Sequence, residues 1–385
     1  MSAIVHPAPK GTGTIPFIEG LRAIACLLVV YCHILAGRAD LYHYDWPFYV
    51  FVRDFFVAPL GIIQNFGFFG VALFFLVSGF IITHTVQRED RIAFCVKRVF
   101  RIFPPLIGAV IAVLALHWID FRATGVPNQT VMLRPHEVLL STVALNALFN
   151  AGSVIVVGWT LTIELLFYAN VVLLNTMLRR SAWWAALTFI ALPTVLIRLC
   201  IEWGLTKSLG VNIGQLATLS EYLPVFGIGM VIYYGWAGRL SVGKTVALAV
   251  TAWIALVYNL SLMQPFNLLA PTSHTTQIAY VIVVFVAGMW LWQNVERNPA
   301  WLRFFSNISY SLYLIHYPFG LFAMDRLHGR IGFTAAALVS LTLVTGMSYL
   351  SFRFIEKPSQ RLARKILSLR HRADVELPKG TPVAT

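Results

Sequence analysis

The residues able to do chemistry in this sequence are the few ionisable side chains set inside long apolar runs. A charge at bilayer depth is costly and persists where it faces a partner or a cavity. Arg22 and His33 share the first such run. Eleven residues apart on a helix, they fall within about 20° of each other around the axis and about 16 Å apart along it. Both therefore lie on one stripe. Glu19 precedes Arg22 by three residues, a spacing at which a helical ion pair can form. On spacing alone the stripe reads equally well as a topological anchor plus a helix-packing imidazole, or as a proton-transferring histidine with a basic group at its mouth.

Arg98 and Arg101, in Lys97-Arg98-Val99-Phe100-Arg101 ahead of Pro104-Pro105, are i, i+3 neighbours on a helical turn. Their guanidinium groups can converge on one polyanion, each forking onto phosphate oxygens. Topology signalling explains the same charges; binding is favoured by their expected place at the same membrane face as Arg22. Glu164 stands in the apolar stretch that begins at Trp159, with no Lys or Arg beside it in sequence, so it must protonate or take a partner from another helix. His316 follows the hydroxyls of Ser309, Tyr310, Ser311 and Tyr313, a run that suits a site or interhelical hydrogen bonding equally. Glu221 is a weaker candidate, close enough to an interface to reach water. Ser78-Gly79 reads as close helix packing before it reads as an exposed hydroxyl. His84 and His117 carry no signal, and Cys26, Cys32, Cys95 and Cys200 show neither metal nor disulfide spacing.

What must position these groups is a membrane. Of 385 residues, 58% are hydrophobic and 12% charged, with a mean hydropathy of +0.74, which excludes a water-soluble globule. The net charge of +13 comes from basic residues spread between apolar runs, a pattern of membrane orientation rather than of a nucleic-acid partner. Ten segments approach the ~20 residues a span requires: roughly 17–37, 66–86, 102–119, 155–178, 183–202, 218–237, 245–262, 276–294, 307–324 and 331–353. A cytoplasmic amino terminus puts 21 of the 29 Lys and Arg residues on the inner side, and a shift by one span reverses that bias. Both termini are therefore expected in the cytoplasm.

The first run lacks a small-residue cleavage site and is expected to be a retained span. Segment 137–150 is apolar but too short to cross, and is expected to be a re-entrant or interfacial helix. The expected architecture is an all-α polytopic membrane bundle of about ten transmembrane helices plus that short helix. It divides into a cytoplasmic tail at 1–16, a transmembrane domain at 17–361 and a basic cytoplasmic tail at 362–385.

These stretches, taken in order, resemble the integral-membrane acyltransferase 3 family, which includes O-antigen, exopolysaccharide and Nod-factor acetylases and some antibiotic acyltransferases. The likeness runs from about 17 to 361. It rests on Phe17-Ile18-Glu19-Gly20-Leu21-Arg22 with His33 ten intervening residues later, and on Gly70-Val71-Ala72 through Ser78-Gly79-Phe80. Arg98-x-x-Arg101 before Ile102-Phe103-Pro104 and Trp159-Thr160-Leu161 through Glu164 to Phe167-Tyr168 continue it. Ser309-Tyr310-Ser311-Leu312-Tyr313 to His316 and Arg353-Phe354-Ile355-Glu356-Lys357-Pro358 close it. Glu19 and Ala72 occupy positions where many members carry Asp.

The resemblance implies a multi-pass O-acyltransferase of the cell inner membrane. Its donor would be cytoplasmic acyl-CoA, specifically acetyl-CoA, and its acceptor a hydroxyl of a cell-surface or exported polysaccharide or lipid-linked sugar. Beyond the lipid bilayer, its partners would be polysaccharide assembly proteins, with no metal, prosthetic group or nucleic acid. It makes His33 essential for transfer, with Glu164 orienting it, and Arg22, Arg98 and Arg101 the acyl-CoA-binding residues. Glu19, Ser78, Trp159, Tyr310, Tyr313 and His316 are candidates to line the substrate or support the site. Two rivals stand beside this reading: an acyltransferase acting on a small molecule such as a macrolide, and a secondary transporter. Against the transporter, no two spans are matched by Gly/Pro breaks.

Overall fold

The computed structural model describes residues 15–204, 213–263 and 271–376, so nearly all of the expected tail at 1–16 and the end of the tail at 362–385 lie outside the described residues. Among the described residues there are helices and turns and no strand, as an apolar chain in lipid requires if every backbone group is to be satisfied locally.

Helix α1 (Pro16–Leu41) starts on a proline at its first position, where the missing N–H removes no helical bond. It widens into a π turn over Tyr31–Ala36 around His33. A short helix α2 (Pro47–Val52) leads to α3 (Gly67–Val86) and to α4 (Arg91–Thr124), whose amino terminus is capped by Asp90 accepting from the Ala93 N–H at 2.6 Å. Then follow α5 (Pro135–Thr142), α6 (Trp159–Leu173), α7 (Asn175–Arg180), α8 (Ala182–Glu202) and α9 (Ile213–Ser220). The remainder are α10 (Leu223–Trp236), α11 (Val242–Met263), α12 (Pro271–Leu291), α13 (Ala300–Ile331), α14 (Phe333–Ser351) and α15 (Lys357–Glu376).

Among the described residues nine helices are long and apolar enough to cross a membrane. The expected segment 307–324 is not one of them. It lies within α13, whose 32 residues extend about 48 Å but whose serines, tyrosines and histidine dilute its apolar character. That helix is sheltered instead, packed along α1 on one side and α14 on the other. Segment 137–150 is helical only as far as Thr142 and then turns back, with left-handed backbone at Ala144 and Asn150. Glu137 ties the fold-back together by accepting from the Arg134 N–H at 2.8 Å and the Gly152 N–H at 3.0 Å, while Asn146 donates to the Glu137 carbonyl at 2.9 Å. Eight helical residues span about 12 Å, too little to cross.

Two features set the frame around the site. Helices α3 and α10 touch backbone to backbone: a Cβ on Gly79 would lie 2.1 Å from the Phe226 carbonyl oxygen, and one on Gly229 would lie 2.2 Å from that of Leu76. Second, the rod formed by α14 and α15 is continuous through a π turn at Phe352–Glu356, so the expected boundary at 361/362 falls inside a helix. Ser359 donates to the Phe100 carbonyl at 2.7 Å, docking α15 against α4.

Candidate active site

The site begins with α1 and α13, which lie side by side and run in the same direction. Arg22 donates from Nη2 to the Ser309 hydroxyl at 2.8 Å, Cys26 donates from Sγ to the Ser309 carbonyl at 3.6 Å, and His33 Nδ1 lies 2.9 Å from His316 Nε2. Partners at both ends are separated by nearly the same number of residues, which is what parallel helices in register produce. The predicted stripe of Arg22 and His33 thus faces a matching stripe of Ser309, Tyr313 and His316.

Beside the Arg22 end is a cavity of about 190 Å³. Arg22 from α1, Ser78 from α3, Arg98 and Arg101 from α4, Glu164 and Tyr168 from α6, and Ser309, Tyr310 and Tyr313 from α13 all line it. Arg98 lies over the rings of Phe94 at 5.2 Å and Tyr168 at 5.7 Å, and its buried Nε has no hydrogen-bond partner. Among the described residues no carboxylate forms an ion pair with Arg22, Arg98 or Arg101. Glu164 instead accepts from the Tyr168 hydroxyl, and Glu356 accepts from Ser311 at 2.9 Å and Gln360 at 3.1 Å. Both carboxylates act on Arg22 and Arg101 through space. With Glu89, which also acts on Arg98, committed to Lys97 at 2.6 Å, three guanidinium groups against two carboxylates leave one positive charge in excess, with donors free to bind an anion.

His33 and His316 do not line this cavity. Tyr313 stands between: it lines the cavity, its ring centre is 5.7 Å from that of His316, and its hydroxyl is held by Thr160 at 2.6 Å. His316 is fully buried, whereas His33 keeps partial exposure.

Several expectations are corrected by this geometry. Glu19 does not pair with Arg22; it accepts from Asn298 at 2.8 Å, and Asn298 also donates to the Pro16 carbonyl at 2.7 Å, fixing the start of α1. The group against His33 is His316, not Glu164, which belongs to the arginine cavity. Trp159 faces Tyr222, with ring centres 6.4 Å apart, and lies outside the cavity lining. Glu221 does not reach water: it is 1% exposed and hydrogen-bonded to Tyr222.

Sequence reasoning missed Tyr168 and Glu356. Tyr168 stands four residues after Glu164 on the same helix face, a usable signal. Glu356 stands in the Arg353–Pro358 stretch that closes the family resemblance, a signal not followed to a role at the site. Among the described residues no three His, Cys, Asp or Glu side chains gather as a metal site.

Residues 15–353 match the acyltransferase domain family. The chain belongs to the acyltransferase 3 family. It is an integral-membrane acyltransferase, and the match takes in every residue of the cavity lining. Among curated proteins it is similar to "Nodulation protein 10" of Rhizobium leguminosarum bv. viciae, 27% identical over 328 residues, covering 78% of this chain and 84% of that one. It is also similar to the "O-acetyl transferase" of Shigella phage Sf6, 23% identical over 353 residues, covering 87% and 93%. No solved structure matches the chain.

Proposed function

We propose that this acyltransferase moves an acetyl group from acyl-CoA to a hydroxyl of a cell-surface or exported polysaccharide or lipid-linked sugar, with His33 as general base. The observation that carries the reading is the convergence of Arg22, Arg98 and Arg101, none of them in an ion pair with a described carboxylate, on one cavity whose α13 wall continues to the His316–His33 pair. The likeness to a protein named O-acetyl transferase supports acetyl as the group and a hydroxyl as its destination.

In this reading the arginines hold the phosphates of CoA, which cannot enter hydrocarbon, while the less polar pantetheine arm runs along α13 past Tyr313. The acceptor hydroxyl gives its proton to His33 as its oxygen bonds to the thioester carbonyl carbon. The C–S bond then breaks, and the sulfur leaves as CoA thiolate and takes the proton from the imidazolium. That Arg22 lies near the start of α1 and Arg98 near the start of α4 supports a donor site toward the membrane face where α1 begins. The excess of basic residues on that face supports a cytoplasmic donor side in the inner membrane, with both termini cytoplasmic.

Proton NMR of polysaccharide from cells with and without the chain tests the acceptor: O-acetyl signals are expected only with it, and identical spectra overturn a polysaccharide acceptor. A His33→Ala chain that inserts normally and still yields full O-acetylation overturns the role of His33.

A further inference from the structure

We propose, building on that reading, that His316 is the positioning residue that fixes His33 in its Nδ1–H tautomer and aims the bare Nε2 of His33 at the acceptor hydroxyl. His316 Nδ1 lies 3.0 Å from the Leu312 carbonyl oxygen and 2.8 Å from that of Tyr313. Carbonyl oxygens only accept, so this nitrogen carries a hydrogen; bare, it would set its lone pair against two others. A second hydrogen on Nε2 would make an imidazolium at a fully buried position where no carboxylate bonds either ring. His316 is therefore neutral, with Nε2 an acceptor, and the nitrogen facing it at 2.9 Å must donate. That nitrogen is His33 Nδ1. The His33 lone pair is left on Nε2, the ring nitrogen that does not face His316.

Among the described residues the surroundings add only one further hydrogen-bonding group, the Val29 carbonyl of α1, which accepts from the His33 ring. On α1 the nearest charge is Arg38, committed to Asp325 of α13 at 2.9 Å. On α13 the remaining neighbours are the Tyr317 ring, 5.0 Å from that of His33, and Tyr313. When His33 Nε2 accepts the hydroxyl proton, its Nδ1–H already points at a neutral imidazole, so the new charge is met by a strengthened hydrogen bond. The proton leaves again to the CoA sulfur, and His316 gains and loses none overall.

His316→Gln keeps an acceptor oxygen for His33 Nδ1–H, whereas His316→Phe fills the space without one. With purified full-length protein, acetyl-CoA and polysaccharide extracted from the host cells, CoA release by the Gln variant is expected to keep kcat within about tenfold of the parent. The Phe variant is expected to lose about a hundredfold, with the KM for acetyl-CoA unchanged in both. Equal kcat in the two variants, at any level, overturns the proposal. The tautomer is also read without turnover, by 15N NMR of histidine-labelled parent protein with the His33→Ala spectrum subtracted. An Nδ1–H signal is expected for His33, and an Nε2–H signal overturns the assignment. Absence of CoA release from the parent would sink the acyl-CoA reading alone, since the 15N measurement stands apart from it.

Discussion

Replacing Arg98 by Met tests the anion site without breaking the fold. The aliphatic side chain keeps contact with Phe94 and Tyr168, and no carboxylate loses an ion pair, because Arg98 has none. Its buried Nε already lacks a partner, so removing the group strips a desolvated charge from the empty protein and thermal stability is expected to hold. In the proposed complex with acetyl-CoA, the same group would face a phosphate. At about 5 Å and an effective dielectric near 20, one charge pair is worth roughly 3 kcal/mol, in the range of a charge-assisted hydrogen bond to an ion. That is a loss of about a hundredfold in affinity. Arg98→Lys keeps the charge but not the fork or the ring stacking, and is expected to lose about tenfold. Calorimetry with acetyl-CoA and with S-acetylpantetheine, which lacks phosphates, separates the terms: Arg98→Met should weaken only the first. An equal loss for both ligands, or none for either, refutes the reasoning.

Three further outcomes follow from the geometry. Glu356→Gln removes the buried counter-charge beside Arg22 and Arg101. The ligand-free protein should lose on the order of 2 kcal/mol and gain more melting temperature from acetyl-CoA than the parent does; identical curves would refute the through-space attraction. Gly79→Ala places a methyl against the Phe226 carbonyl, so thermal unfolding should show a loss of about 1–3 kcal/mol, and an unchanged melting temperature would show that α3 and α10 do not touch. Asp90 caps α4, and the Ala93 N–H, with Arg370 beside it, holds its carboxyl below its ordinary value. Its contribution is thus present above pH about 4 and fades as pH falls through the lowered value. Asp90→Ala should cost about 1 kcal/mol at neutral pH, with amide exchange faster over 91–97, and the difference should vanish in acid; a difference that persists there would refute the charged cap.

The parts legible in the sequence are those governed by helical period. Arg22 and His33 share a stripe because eleven residues nearly complete three turns, and Arg98 and Arg101 both line the cavity because they are one turn apart on a continuous helix. What the period cannot give is which neighbour a side chain meets. Glu19 and Arg22 have ion-pair spacing, yet Asn298 claims one and Ser309 the other. Glu164 is expected to orient His33 as a triad carboxylate would, but the parallel registry of α1 and α13 delivers His316. The apolar count likewise includes 307–324, yet α13 is too polar for that class, because Ser309 and His316 meet α1 while Tyr310, Ser311 and Tyr313 bond Ile102, Glu356 and Thr160.

The same polar groups explain why the bundle holds that registry. In hydrocarbon an unsatisfied donor or acceptor costs several kcal/mol, and sliding α13 by one turn along α1 would orphan Ser309, His316 and their partners together. Around the cavity the scaffold hydroxyls are spoken for: Tyr310 donates to the Ile102 carbonyl at 2.8 Å, Tyr313 is held by Thr160, and Ser311 donates to Glu356. Arg98 alone keeps a buried donor empty there, and Arg101 has only through-space partners. Around the cavity, then, Tyr310, Tyr313 and Ser311 fix the helices, while Arg98 and Arg101 keep donors that an anion could take. The division falls between α13, whose hydroxyls fix the helices, and the start of α4, whose arginines the proposed function assigns to the donor.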